Sequence, residues 1–272
     1  MLPTVPCPSA EARRDASHAA ALLASFLLAA CTSVSRAGLE PIVTDRPDFT
    51  ESTETVTRGM RQLEAGTTIS NTPDATSTSL GEVLLRVGVA PKAELRFAFN
   101  SYALSRASGV TVRGFEDISV GAKFKLMASG GDGSLKPALA LIVASTMPTG
   151  GRAMRAAKPQ PEVKFGMAWD LTSRVAFSSN LNYARVSDTA GDYGEMAATG
   201  SLGVGITETL GSYLEYFTFQ PRTSAIPSSH YLNGGLTYGV TDNLQFDIRS
   251  GLGLRRVSGP DYFIGLGISR RW

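Results

Sequence analysis

Within the stretch TDRPDFTES, Thr44 to Ser52, three carboxylates (Asp45, Asp48 and Glu51) flank Arg46 and Pro47. Acids this close together suggest general acid–base work or a calcium site. The spacing serves neither well. Carboxylates three apart on an extended chain do not share a face, and no partner base accompanies them. A calcium loop needs the order D-x-D-x-D-G, which is missing here. Pro47 fixes its own φ and disfavours helix at Arg46, while Asp45 and Asp48 are suited to accept backbone N–H groups in turns. Asp45, Arg46, Pro47, Asp48 and Glu51 therefore read as a capping or plugging segment whose Arg46 pairs with carboxylates elsewhere.

The second candidate is His230, which follows Ser228 and Ser229 and is the sole histidine after His18. A hydroxyl beside an imidazole suggests a hydrolase. No G-x-S-x-G elbow is present, and neighbours on a strand point to opposite faces, so a hydrogen-bonded surface histidine is the plainer reading. One histidine also makes a poor transition-metal site. No metal, cofactor or catalytic residue is expected. The net charge of +2 gives no ground for nucleic-acid binding.

The N-terminus carries an export signal. Arg13 and Arg14 precede an apolar run, Ala19 to Ala30, too short to span a membrane. Ser35 and Ala37 suit cleavage before Gly38, making 1–37 a signal peptide. Leu28-Ala29-Ala30-Cys31 alternatively resembles a lipidation site at Cys31. Both cysteines, Cys7 and Cys31, lie in this leader, so a chain starting at Gly38 has no thiol chemistry.

From Arg61 onward the hydrophobic pattern has period two. In ELRFAFN, Leu95, Phe97 and Phe99 alternate with Glu94 and Arg96. FEDISVGAKFKL sets Ile118, Val120 and Phe124 against Asp117, Lys123 and Lys125. EVKFGMAWDL opposes Val163, Phe165, Met167 and Trp169 to Lys164 and Asp170. NLQFDIRSGLGL opposes Phe246 and Ile248 to Asp247 and Arg249. Strands of about ten residues fit a tilted crossing of a bilayer. Short turns near 90–95, 171–175, 206–210 and 240–244 alternate with longer polar stretches at 71–79, 105–114, 148–161, 187–192, 220–229 and 256–261.

These features define an all-β fold: a transmembrane antiparallel up-and-down β-barrel of about 12 strands over 61–272, preceded by a short N-terminal periplasmic segment, 38–60. Charges facing lipid are costly, roughly 2–4 kcal/mol each for Arg or Lys at the midplane. Glu82, Arg86, Glu94, Arg96, Asp117, Lys123, Lys125, Lys164, Asp170, Asp247, Arg249 and Arg255 are thus expected to line the lumen. Tyrosines near strand ends suggest interfacial girdles, and the 148–161 loop carries Arg152, Arg155 and Lys158 without an acid. The chain ends with Tyr262, Ile264, Leu266 and Ile268 at alternate positions before Trp272, which resembles an outer-membrane assembly signal. Arg270 departs from that alternation.

TDRPDFTES followed by TRGMRQLEAG (57–66), with the strands ELRFAFN and FEDISVGAKFKL, resembles the MetA-pathway of phenol degradation family of outer-membrane barrels. The resemblance implies passive passage of small molecules, aromatic or hydrophobic ones among them, in the bacterial outer membrane. The expected partners are outer-membrane lipid and lipopolysaccharide, a small solute and the assembly machinery, with the barrel a monomer. An outer-membrane hydrolase using His230 and a structural or adhesive barrel are the alternatives.

Overall fold

The computed structural model describes residues 40–99, 101–188, 191–223, 226–254 and 259–272. The leader, with both proposed processing sites, lies outside them, as does Arg255. Fourteen strand segments form one sheet in which β1 (Arg61–Asn71) pairs with both β14 (Tyr262–Arg271) and β2 (Ala75–Ala90), so the sheet closes on itself. All pairings are antiparallel, and all but β1–β14, β2–β4 and β3–β6 join strands consecutive in the chain.

Two wall strands are interrupted. β3 (Ala93–Phe99) and β4 (Tyr102–Ala107) both pair with β2, one above the other. β5 (Val110–Phe115) pairs with β4 and β6 (Ile118–Met127) pairs with β3. Each pair counts as one stave, so the barrel has the expected twelve strands. The interruption lies level with a bulge in β2, where Gly81 and Glu82 take φ of 111° and 37° and the β1 register shifts between Glu64 and Gly66. An extra residue there turns the Glu82 side chain inward.

The wall continues through β7 (Ala138–Met147), β8 (Gln160–Thr172), β9 (Val175–Asp188), β10 (Gly191–Gly205), β11 (Leu210–Pro221), β12 (Ser229–Thr241) and β13 (Leu244–Gly253). Three stretches expected as long connections (71–79, 105–114 and 187–192) are mostly strand, and β2 and β10 reach 16 and 15 residues. These extensions, Ser/Thr-rich in β2, keep the ladder without an apolar alternation to reveal it. The described residues of 148–159, 222–228 and 254–261 contain no strand.

The faces are inverted relative to a soluble protein. Leu95, Phe177, Leu181, Leu214, Leu252 and Leu266 are exposed on the outside, whereas Arg86, Glu94, Lys123 and Glu215 are fully buried inside. Apolar side chains outward and polar ones inward is the pattern bilayer contact requires. Tyr262, Ile264 and Leu266 belong to the exposed outer band, and Arg270 shares their parity, opposite Leu63 and Leu244.

Candidate functional site

The candidate site is the segment before β1, which runs through the bore. Its entry is pinned at the short-turn end: the Ile42 N–H donates to Asp242 O at 2.8 Å, and Arg271 Nη2 donates to Glu40 O at 2.6 Å. From Thr44 onward its side chains and backbone engage strands around the wall.

Asp45 is the hub. Its carboxylate meets Arg96 Nη1 at 2.5 Å, Lys123 Nζ at 2.7 Å and Arg86 Nη1 at 3.5 Å, and accepts the Ser52 N–H and hydroxyl. Burial alone would raise the Asp45 carboxyl, but Arg86, Lys123 and Arg96 override it and hold it well below the usual carboxylate range. Glu94 joins both arginines, accepting from Arg86 Nε at 2.8 Å and Arg96 Nη1 at 3.0 Å. Glu64 accepts the Asp45 and Arg46 backbone N–H groups and binds Arg86. The expected lumen residues Arg86, Glu94, Arg96 and Lys123 are therefore brought together around Asp45.

Glu51 extends the network towards β8. It pairs with Arg96 at 2.6 Å and Lys164 at 2.5 Å. Burial opposes its charge, yet the two cations outweigh burial and set its pKa at about 2. Beside it, Lys125 pairs with Glu54 at 2.5 Å.

Arg46 occupies a slot made by two glycines. Gly66 and Gly267 are opposite each other on β1 and β14, and a Cβ at either position would overlap the Arg46 guanidinium. The group donates to Glu82 at 2.8 Å, to Asp247 at 3.2 Å and to Leu266 O at 3.1 Å. Arg249 braces the turn, donating to Pro47 O at 3.0 Å and to Thr68 Oγ1 at 2.8 Å.

On the far wall the contacts change character. Glu215 accepts the Phe49 and Thr50 N–H groups at 2.9 and 2.7 Å, the Thr50 hydroxyl at 2.7 Å and Asn233 Nδ2 at 2.8 Å. Phe49 stacks on Phe217 with ring centroids 5.0 Å apart, and Phe217 stacks on Tyr231 at 4.8 Å. Asp48 accepts the Ser201 hydroxyl at 2.9 Å. Burial first, then the neighbouring Glu215 charge, pushes the Asp48 carboxyl well above its ordinary range.

Glu64, Glu215 and the Phe49–Phe217–Tyr231 stack were not singled out from sequence. Strand parity could have flagged both glutamates, but tyrosines and phenylalanines on both faces of β11 blur its alternation. Tyr213 and Tyr231 are buried inside, not part of an outer girdle. Asp117 falls in the break between β5 and β6, where it accepts the N–H groups of Gly150 at 2.7 Å and Ala156 at 2.8 Å, clasping the 148–159 connection. Asp170 lies near the short-turn end of β8, and its carbonyl accepts the Gly133 N–H. On the outer side of the segment is a cavity of about 450 Å³ whose lining includes Glu51, Arg96, Lys164, Glu82, Val83, Leu84 and Ile142.

His230 lies away from this network, on the outer face. Its Nδ1 is 2.6 Å from the Tyr216 hydroxyl and its Nε2 is 3.3 Å from the Ser228 hydroxyl. Among the described residues no carboxylate hydrogen-bonds the ring.

The chain belongs to the family described as MetA-pathway of phenol degradation, which matches residues 44–272. Among solved structures it is similar to the COG4313 outer membrane channel from Pseudomonas putida F1, at 13% identity and a TM-score of 0.62, covering 84% of this chain and 99% of that one. It is also similar to the NanC porin, at 10% identity and a TM-score of 0.54, covering 76% of this chain and 98% of that one. No curated protein sequence matches it. The closed barrel with an apolar outer band is an outer-membrane fold, and the protein resides in the bacterial outer membrane.

Proposed function

We propose that this barrel passes small molecules across the outer membrane by passive diffusion and that the segment 44–56 gates the passage. The observation that carries this reading is the span of the segment's contacts. It bonds to β1, β2, β3, β6, β8, β10, β11 and β13, that is, to walls on opposite sides of the bore. A chain so placed obstructs the lumen, and no barrel strand must break for it to leave. Lumen carboxylates and cations are arranged to hold it.

The family description points to aromatic compounds, and the outer cavity suits a small, weakly polar solute. Apolar Val83, Leu84 and Ile142 lie there beside Glu82, Arg96 and Lys164, which the segment's Arg46 and Glu51 pair, with Glu116 and Glu162 as further acceptors. Closure of the wall within one chain favours a monomer, with lipid on the outer band and the Tyr262–Trp272 strand offered to the assembly machinery. Among the described residues no acid orients the His230 imidazole, which disfavours a hydrolase.

The test is single-channel conductance in planar bilayers, comparing the refolded barrel with a variant lacking residues 38–60. Heat-modifiable gel migration verifies folding of both. Conductance several-fold higher without the segment is expected. Equal conductance in two folded barrels would remove the gate.

A further inference from the structure

We infer that the outer rim between β9 and β11 holds a binding site for a phosphorylated glycolipid of the outer leaflet, with Arg185 and Arg222 as its phosphate ligands. Arg185, Gly194 and Arg222 lie level on three adjacent strands: Arg185 is opposite Gly194, and the Arg222 N–H donates to Gly194 O at 2.7 Å. Two strand spacings separate the arginine backbones by roughly 9.5 Å. Arg185 shares the parity of the exposed Phe177, Leu181 and Tyr183 on β9, and Arg222, just past the end of β11, that of the exposed Leu214 and Tyr216, so both arginines point outward. Gly194 has no side chain to fill the gap between them, and the Tyr183 ring lies against it.

The result is an open cavity of about 630 Å³ whose lining includes Tyr183, Arg185, Asp192, Gly194, Met196 and Arg222, a size within the roughly 300–1,000 Å³ of small-ligand sites. Its position sets its depth. The β9–β10 ladder ends just above, at the pair Asp188 and Gly191. One residue pair below, Tyr183 and Met196 begin the exposed apolar band. Arg185 and Arg222 are thus the first charges above the hydrocarbon level, where a lipid headgroup sits.

Charge complementarity identifies the occupant. Asp192, the acid in the lining, is paired with Lys158 of the outer loop at 2.5 Å and with the Ser187 hydroxyl at 2.7 Å. Three cations against one carboxylate leave a net +2 at the rim. Among the described residues neither arginine has a hydrogen bond or ion pair from its guanidinium, so both forks are available for bidentate phosphate binding. A phosphate bridging Arg185 and Arg222, with acyl chains descending over Tyr183, Met196 and Leu181, matches the phosphorylated disaccharide lipid, lipid A, that fills the outer leaflet. A bilayer phospholipid has one phosphate and no sugar to occupy the remaining volume.

The experiment is native mass spectrometry of the folded barrel in detergent. The probes are bisphosphorylated hexa-acyl lipid A, the same lipid dephosphorylated, and phosphatidylglycerol. Wild type is expected to retain bisphosphorylated lipid A, with binding weakened at least roughly tenfold in R185A/R222A and on removal of the phosphates. R152A/R155A, altering the outer loop alone, should bind as wild type. Unchanged lipid A binding in R185A/R222A, no binding to wild type, or equal retention of phosphatidylglycerol would overturn the assignment.

Discussion

Glu215 and Asp45 are both buried carboxylates that hold the same segment, and they do it by different physics. Glu215 is satisfied by neutral donors: two backbone N–H groups, the Thr50 hydroxyl and the Asn233 amide. Glu215→Gln keeps the shape but turns an NH2 towards donors. At least one segment N–H is then unsatisfied, at about 1–3 kcal/mol. Asp45 instead balances Arg86, Arg96 and Lys123. Asp45→Asn strands buried cations, and breaking such a network costs about 3–5 kcal/mol. The reporter is a single cysteine at Thr53, a residue 5% exposed, in a chain starting at Gly38 that has no other thiol. Maleimide labelling should accelerate modestly in Glu215→Gln and by more than about a hundredfold in Asp45→Asn. A reversed order would show that hydrogen bonds, not ion pairs, dominate docking. Gly267→Ala tests the Arg46 slot: the new methyl displaces the guanidinium from Asp247, and labelling should again speed up.

At the scale of elements, the strands were legible because alternation is local. Leu95 against Arg96, or Ile248 against Arg249, declares a face within two residues. The path of the segment was not legible, since Asp45 meets residues 41, 51 and 78 positions away. Its charges announced that partners exist but not which ones. Asp117 shows where alternation misleads. FEDISVGAKFKL reads as one strand, but the wall breaks between Phe115 and Ile118, and Asp117 turns to the outer loop. No local pattern marks that break, because it follows the equally broken β3–β4 stave beside it, which lies level with the bulge at Gly81–Glu82 one stave further on. The consequence is testable. Asp117→Ala removes the acceptor for the Gly150 and Ala156 N–H groups while leaving the ladders intact. Trypsin should then cut after the exposed Arg152 and Arg155 several-fold faster, with gel migration of the folded barrel unchanged. An unaltered cleavage rate would mean that the Gly151–Phe115 backbone bond, at 2.7 Å, suffices to hold the loop.

For the whole molecule, the carboxylates couple docking of the segment to pH, and they do so in two opposed directions. Asp48, ordinarily 3.8 and pushed well above that when docked, takes up a proton on docking. Between those values a falling pH therefore favours the docked state. Glu51, ordinarily 4.5 and about 2 when docked, works the other way: its contribution is full above 4.5 and is lost as pH falls to about 2. Asp45, held below its ordinary 3.8, adds to that loss. Closure should thus be tightest near the ordinary carboxylate range, with the segment released towards neutral pH on one side and towards strong acid on the other. Open probability in planar bilayers, followed from about pH 7 down to about pH 3, should pass through a minimum. Asp48→Asn keeps a group for Ser201 but cannot ionise, so it should flatten the neutral limb and spare the acid one. Glu51→Gln should raise open probability near neutrality and shallow the acid limb. A profile that is flat in wild type, or unchanged by Asp48→Asn, would separate conductance from the charge state of the segment and leave its movement under other control.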